Sequence, residues 1–210
     1  MSVRSFRLTV GMVGAVLPVF VASAGATYHT FKFDEVYSNP SGTIQFIELH
    51  ESLGANGQNF ESEAPDIFSF SGPDATSTSN REHTLTLTDL PNSNTANTFF
   101  LLGTAGYNAL SGAPKADYLI PNNFFNPAGD SLQYGSTGPD GTVDQITFGA
   151  LPSNLSQALQ RVGTSGNTFN TGPAIANTFS NGGDFAVPEP TIGGILALAA
   201  GGFLFRRRRV

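Results

Sequence analysis

Short alternating or apolar segments recur from residue 31 to residue 148, and each is cut off by glycine, proline or a cluster of asparagine and serine. That cadence confines the body to short strands, since a period of two puts alternate side chains on opposite faces and the breakers end each run early. Phe31 to Tyr37 opens with alternation and stops at Ser38-Asn39-Pro40-Ser41-Gly42. Thr43 to Leu49 follows and is more apolar. His83 to Thr88 alternates strictly and predicts Leu85 and Leu87 on the core face. Further strands are expected at Thr98 to Leu102, Asp117 to Ile120, Ser131 to Tyr134 and Val143 to Phe148, the last two joined by a hairpin loop in which Asp140-Gly141 supplies the positive-φ positions. The 24 glycines and 13 prolines agree with a turn-rich chain. Seven or so such strands predict an all-β sandwich. A short helix or turn is expected at Asn154 to Gln160, and irregular coverage from Gly163 to Gly183.

Charge separates the chain into three parts. Arg4 and Arg7 lie at the start and Arg206 to Arg209 at the end, which leaves four basic against fifteen acidic residues between 27 and 187, a net of −11. Such an acidic body repels nucleic acid, whose phosphates are bound by Lys and Arg. There is no cysteine, so disulfides, thiol nucleophiles and thiolate metal sites are excluded and stability must come from packing.

The two ends read as targeting segments. Residues 1–26 carry a basic start, an apolar run from Leu8 to Val21 and a small-residue close, Ala22-Ser23-Ala24-Gly25-Ala26. This is the pattern of a signal peptide, recognised by signal peptidase at small side chains in alternate positions; Ala24 and Ala26 define the expected cleavage, after Ala26. At the other end Pro188-Glu189-Pro190 precedes an uncharged run from Thr191 to Phe205, then Arg206, Arg207, Arg208 and Arg209. Fifteen helical residues at ~1.5 Å each span about 22 Å, short of the ~30 Å hydrocarbon core, and the arginines act as a cytoplasmic stop whose long stems extend the reach.

In this order, the Pro-Glu-Pro motif, apolar segment and arginine cluster resemble the PEP-CTERM sorting signal of exported bacterial proteins. The resemblance implies a transient membrane anchor read by an integral-membrane exosortase, then release or transfer to the cell surface, in bacteria that often make exopolysaccharide. Pro188, Glu189 and Pro190 are the implied recognition motif. A second resemblance lies in the body. Glu35-Val36-Tyr37, Gln45 to His50, Gly129 to Leu132 with Asp140 to Asp144, and Ser156 to Gly163 are similar, in that order, to the lamin-tail domain. That family implies an immunoglobulin-like β-sandwich serving as a surface or binding module without fixed catalytic residues. Together with the two ends, it gives the expected layout: signal peptide 1–26, lamin-tail-like domain 27–180, linker 181–187 and sorting segment 188–210, with Gln58 to Asn80 as an insertion.

Chemistry-bearing motifs are sparse. No Gly-x-Ser-x-Gly, His-Glu-x-x-His, phosphate loop or dinucleotide fingerprint occurs, and His29, His50 and His83 are far apart in sequence. Glu48 and His50 share a strand parity while Glu51 points the other way, which argues against a metal site there. Asp140 and Asp144, with Asp130 across the hairpin, have the oxygen donors of a calcium site; the competing reading is a turn residue at 140 and a solvated edge at 144. The absence of Trp removes the usual stacking surface for a sugar ring. The expected function is a noncatalytic, exported structural or adhesive module without a cofactor. A calcium- or carbohydrate-binding lectin-like module and a secreted hydrolase are the alternatives.

Overall fold

A computed structural model describes residues 28–61, 63–72, 80–136, 141–154, 156–164, 166–180 and 185–186. The signal segment with Ala24 and Ala26, the sorting motif Pro188 to Pro190, the Arg206 to Arg209 cluster and Asp140 lie outside these residues. The described strands are β1 (Phe31–Ser38), β2 (Gln45–Glu51), β3 (Asp66–Phe70), β4 (Arg81–Thr86), β5 (Phe99–Thr104), β6 (Tyr118–Ile120), β7 (Asp130–Gly135), β8 (Thr142–Phe148), β9 (Gln157–Arg161), β10 (Phe169–Pro173), β11 (Ile175–Ala176) and β12 (Phe185–Ala186). A single helical turn, α1 (Ala105–Asn108), follows β5 and is capped by the Thr104 hydroxyl.

The strands form a six-stranded sheet in the order β10-β9-β1-β2-β5-β6, a four-stranded sheet in the order β4-β3-β7-β8 and the small pair β11-β12. Pairing is antiparallel except between β5 and β6. Phe31, Phe33, Ile47, Leu49, Phe100 and Leu102 from the larger sheet pack against Ile67, Leu132, Tyr134 and Ile146 from the smaller one, giving one hydrophobic core between two layers. Phe100 meets Phe31, Phe60 and Tyr118 edge to face at centroid distances of 4.8, 5.6 and 5.8 Å. This is an all-β chain of two packed sheets.

One irregularity in β1 decides what the larger sheet shows on its other side. The β1–β2 register slips between Phe33 and Glu35, so Asp34 is an extra residue, and inward parity passes from Phe31 and Phe33 to Val36. Glu35 is therefore sent to the outer face opposite Glu48. That face is itself buried, under Tyr37, Phe46, Leu101, Tyr107, Ala158, Ala174 and Ala176.

Three segments hold strands that the sequence-based reading does not assign. The stretch 58–80, read as an insertion, contains β3, which pairs with both β4 and β7 and so lies inside the smaller sheet. The helix or turn expected at Asn154 to Gln160 is in part strand β9, paired with β1 and β10. The region from 163, expected to be irregular, holds β10 and β11. In each case the ladder hydrogen bonds offered by a neighbouring strand override weak local preference. Within 181–187, read as linker, Phe185 and Ala186 pair with Ala176 and Ile175.

Candidate functional site

A polar concavity lies between edge strand β4 and the connection from β6 to β7. Glu82 and His83 form one wall; Asn122, Asn123, Phe125, Asn126 and Pro127 form the other, around a cleft of about 400 Å³. His83 shares the parity of Leu85 and Leu87, so its ring turns toward the sheet interior at the rim of the core. There its Nδ1 lies 3.2 Å from the Ser69 hydroxyl and its ring 5.4 Å from that of Phe124. Ser69 is fully buried, and this contact orients the imidazole.

The asparagine wall is held rigidly from below. Gln45, at the start of β2 and fully buried, accepts from the Phe124 amide at 2.8 Å and donates to the Phe125 carbonyl at 2.7 Å and to Ser38 Oγ at 3.1 Å. Asp130 fixes the other end of the loop, accepting the Asn126 amide at 2.7 Å on one oxygen and the Ser131 amide at 2.7 Å on the other. Asn123 adopts φ +56° and donates its amide to the Gly42 carbonyl at 2.9 Å. Gly42 has φ +66°, and a Cβ built there would sit 1.9 Å from Asn123 Oδ1. Gly42→Ala is expected to cost about 1–3 kcal/mol in denaturant unfolding, through the positive φ and the displaced asparagine. Unchanged stability would mean that the loop is not seated on Gly42.

Of the three acidic residues that the sequence offered for calcium, Asp140 lies outside the described residues, and the structure places the other two apart. Asp130 pairs with Phe148 and Asp144 with Tyr134, four positions apart along β7, or about 13 Å at ~3.3 Å per residue. Asp144 is committed elsewhere: it accepts the Phe33 amide at 2.8 Å and forms an ion pair with Arg161, both side chains being buried. Burial raises the carboxyl pKa of both Asp130 and Asp144, and the Arg161 charge partly opposes that at Asp144. Among the described residues no group of three or more His, Asp or Glu side chains is placed to hold a metal.

A second polar arrangement, which sequence reasoning missed, lies on the outer face of the larger sheet. The chain from Ala174 to Phe179 crosses that face, and its alternate amides meet three carboxylates. Ile175 donates to Glu35 at 2.8 Å, Asn177 donates to Glu48, and Phe179 donates to Asp117 at 3.1 Å. Asp117 also accepts the Leu101 amide at 2.9 Å, and Gln160 donates to the second Glu35 oxygen at 2.8 Å. Burial raises all three acids: Glu35 to about 8, Glu48 well above its ordinary range, and Asp117 upward despite its amide donors. Asp34, next to this group, is raised by burial against the opposing charges of His50 and Arg161. The Asn177 side chain donates to Glu48 at 3.4 Å, while its Oδ1 is buried without a partner among the described residues. The signal available in the sequence was the Glu35 and Glu48 parity, concealed by the Asp34 bulge.

The fold and these sites define a two-sheet β protein with a polar cleft and a carboxylate-bound strap, in which the described residues include no helix long and apolar enough to cross a membrane. No family model, no curated protein and no solved structure matches the chain.

Proposed function

We propose that the chain is an exported surface module: a signal peptide directs it across the membrane, a PEP-CTERM-like tail holds it there until an exosortase-type protease acts at Pro188-Glu189-Pro190, and the body is displayed on the cell surface or in the extracellular matrix. In this reading the body is a noncatalytic, structural or adhesive sandwich of the immunoglobulin-like, lamin-tail type. The observation that carries it is the pair of apolar termini, each bordered by arginines, around a body of net charge −11. Arginine retains each end on the cytoplasmic side, while an acidic, cysteine-free passenger is suited to the outside in either redox state. The implied partners are signal peptidase, exosortase, the membrane through residues 191–205, and exopolysaccharide.

N-terminal sequencing and intact mass of the protein recovered from its own cells test both ends together. The expected product starts at Thr27 and ends near Pro188 to Pro190, in the envelope or extracellular fraction. A polypeptide running from Met1 to Val210 in the cytosol overturns the proposal.

A further inference from the structure

We propose that the cleft between β4 and the 121–129 loop is a binding site for a neutral saccharide of about disaccharide size. Its volume of about 400 Å³ falls within the roughly 300–1,000 Å³ of small-molecule sites. Its chemistry selects among ligands. Among the described residues no Lys or Arg lines it, and Glu82 faces it with Asp130 close behind, so phosphate, uronate or nucleic acid meets repulsion without a compensating cation there. A metal ion finds Glu82 at the wall, but Asp130 has an amide donor on each of its oxygens. An extended peptide would need apolar side-chain pockets, and this lining is mainly amide, carboxylate and imidazole.

A sugar fits that lining group by group. Each hydroxyl both donates and accepts, as the amides of Asn122, Asn123 and Asn126 do, and the two oxygens of the Glu82 carboxylate suit an adjacent pair of hydroxyls. The His83 contact to Ser69 engages Nδ1, and Nε2 makes no hydrogen bond among the described residues. Pro127 and the imidazole face supply the flat carbon surface that a Trp would otherwise give. Gln45, Gly42 and Asp130 fix the loop in advance, so little ordering entropy opposes binding. The inference does not rest on export, because binding is read on purified protein whatever its cellular address.

The test uses the full chain in a zwitterionic, sugar-free detergent, with saturation-transfer NMR and calorimetry. The probes are cellobiose, maltose, lactose and mannobiose, with glucuronate, inorganic phosphate and calcium chloride as counter-probes. At least one neutral disaccharide is expected to saturate. Glu82→Gln and Asn122→Ala are each expected to weaken it about tenfold with an unchanged melting temperature, since both side chains are exposed. Thr171→Ala, on the exposed β10 edge, is expected to leave it unaltered. The proposal is overturned if none of the four disaccharides binds, if glucuronate, phosphate or calcium binds more tightly, or if the Glu82→Gln, Asn122→Ala double variant binds as the parent does.

Discussion

Arg161→Ala is expected to destabilise the protein by about 3–5 kcal/mol at neutral pH, the range for removing one partner of a buried ion pair. Arg161 joins the two layers on the side of the molecule defined by β8, β1 and β9. It pairs with Asp144 of the smaller sheet, donates to the Phe33 carbonyl of the larger sheet at 2.5 Å, and lies over the Phe169 ring at 4.7 Å. Without the guanidinium, Asp144 keeps the Phe33 amide and the weaker opposing charge of Lys32 but loses its ion pair, and its carboxyl, already raised by burial, rises further. Most of the cost is thus a stranded charge. Two results follow in urea titrations: the Arg161→Ala penalty shrinks at acidic pH, where Asp144 is protonated, and adding Asp144→Asn recovers part of it. A penalty below about 1 kcal/mol, or one independent of pH, would place the pair in the class of solvent-screened surface bridges.

The second large effect concerns the strap. Glu35 has an ordinary pKa of 4.5 and a folded value of about 8, so the proton it retains stabilises the fold fully below about pH 4.5, and that contribution is lost as pH rises through about 8. Each unit of separation is worth about 1.4 kcal/mol. Glu48, Asp34, Asp117, Asp130 and Asp144 are displaced in the same direction. His50, lowered by burial, acts oppositely: its contribution is present above 6.5 and fades on the acidic side. The melting temperature is therefore expected to fall steadily from mildly acidic to mildly alkaline pH. Glu48→Gln is expected to flatten that fall while preserving the strap. A glutamine still accepts the Asn177 backbone amide, and with the Asn177 side-chain amide reversed it would donate to Oδ1. Calorimetric scans of both proteins at pH 5 and pH 9 decide the matter. Equal declines would remove Glu48 from the account.

How much of this was legible in the sequence depended on whether a strand has one wet face. Parts of β4 and β8 show polar and apolar residues in turn, and β1 begins that way, so their periodicity is readable. β3 is buried from Ile67 to Phe70; Phe68 and Phe70 lie on the face away from the core, with the Arg81 guanidinium 3.7 Å from the Phe68 ring centre, so its polarity pattern carries no sign of a strand. β9 reads Gln157-Ala158-Leu159-Gln160-Arg161, without a β-branched residue, and owes its conformation to pairing on both sides. The site was harder. Asn122, Asn123 and Asn126 look like ordinary turn residues, and what turns their loop into a wall is its anchorage on Gln45 and Gly42, remote in sequence, and on nearby Asp130. Asp130 was singled out for its charge, yet its observed role is to order the loop beside the cleft.

The strap also sets how the molecule responds to mechanical load. Its contacts with Asp117, Glu48 and Glu35 occur one after another along the chain, preceded from the C-terminal side by the β11–β12 pairing. A pull on the chain beyond Ala186 would reach these attachments in succession, unlacing them one at a time at modest force. The slack released in that way would lengthen the chain between the point of pull and the body while the two sheets themselves remained intact.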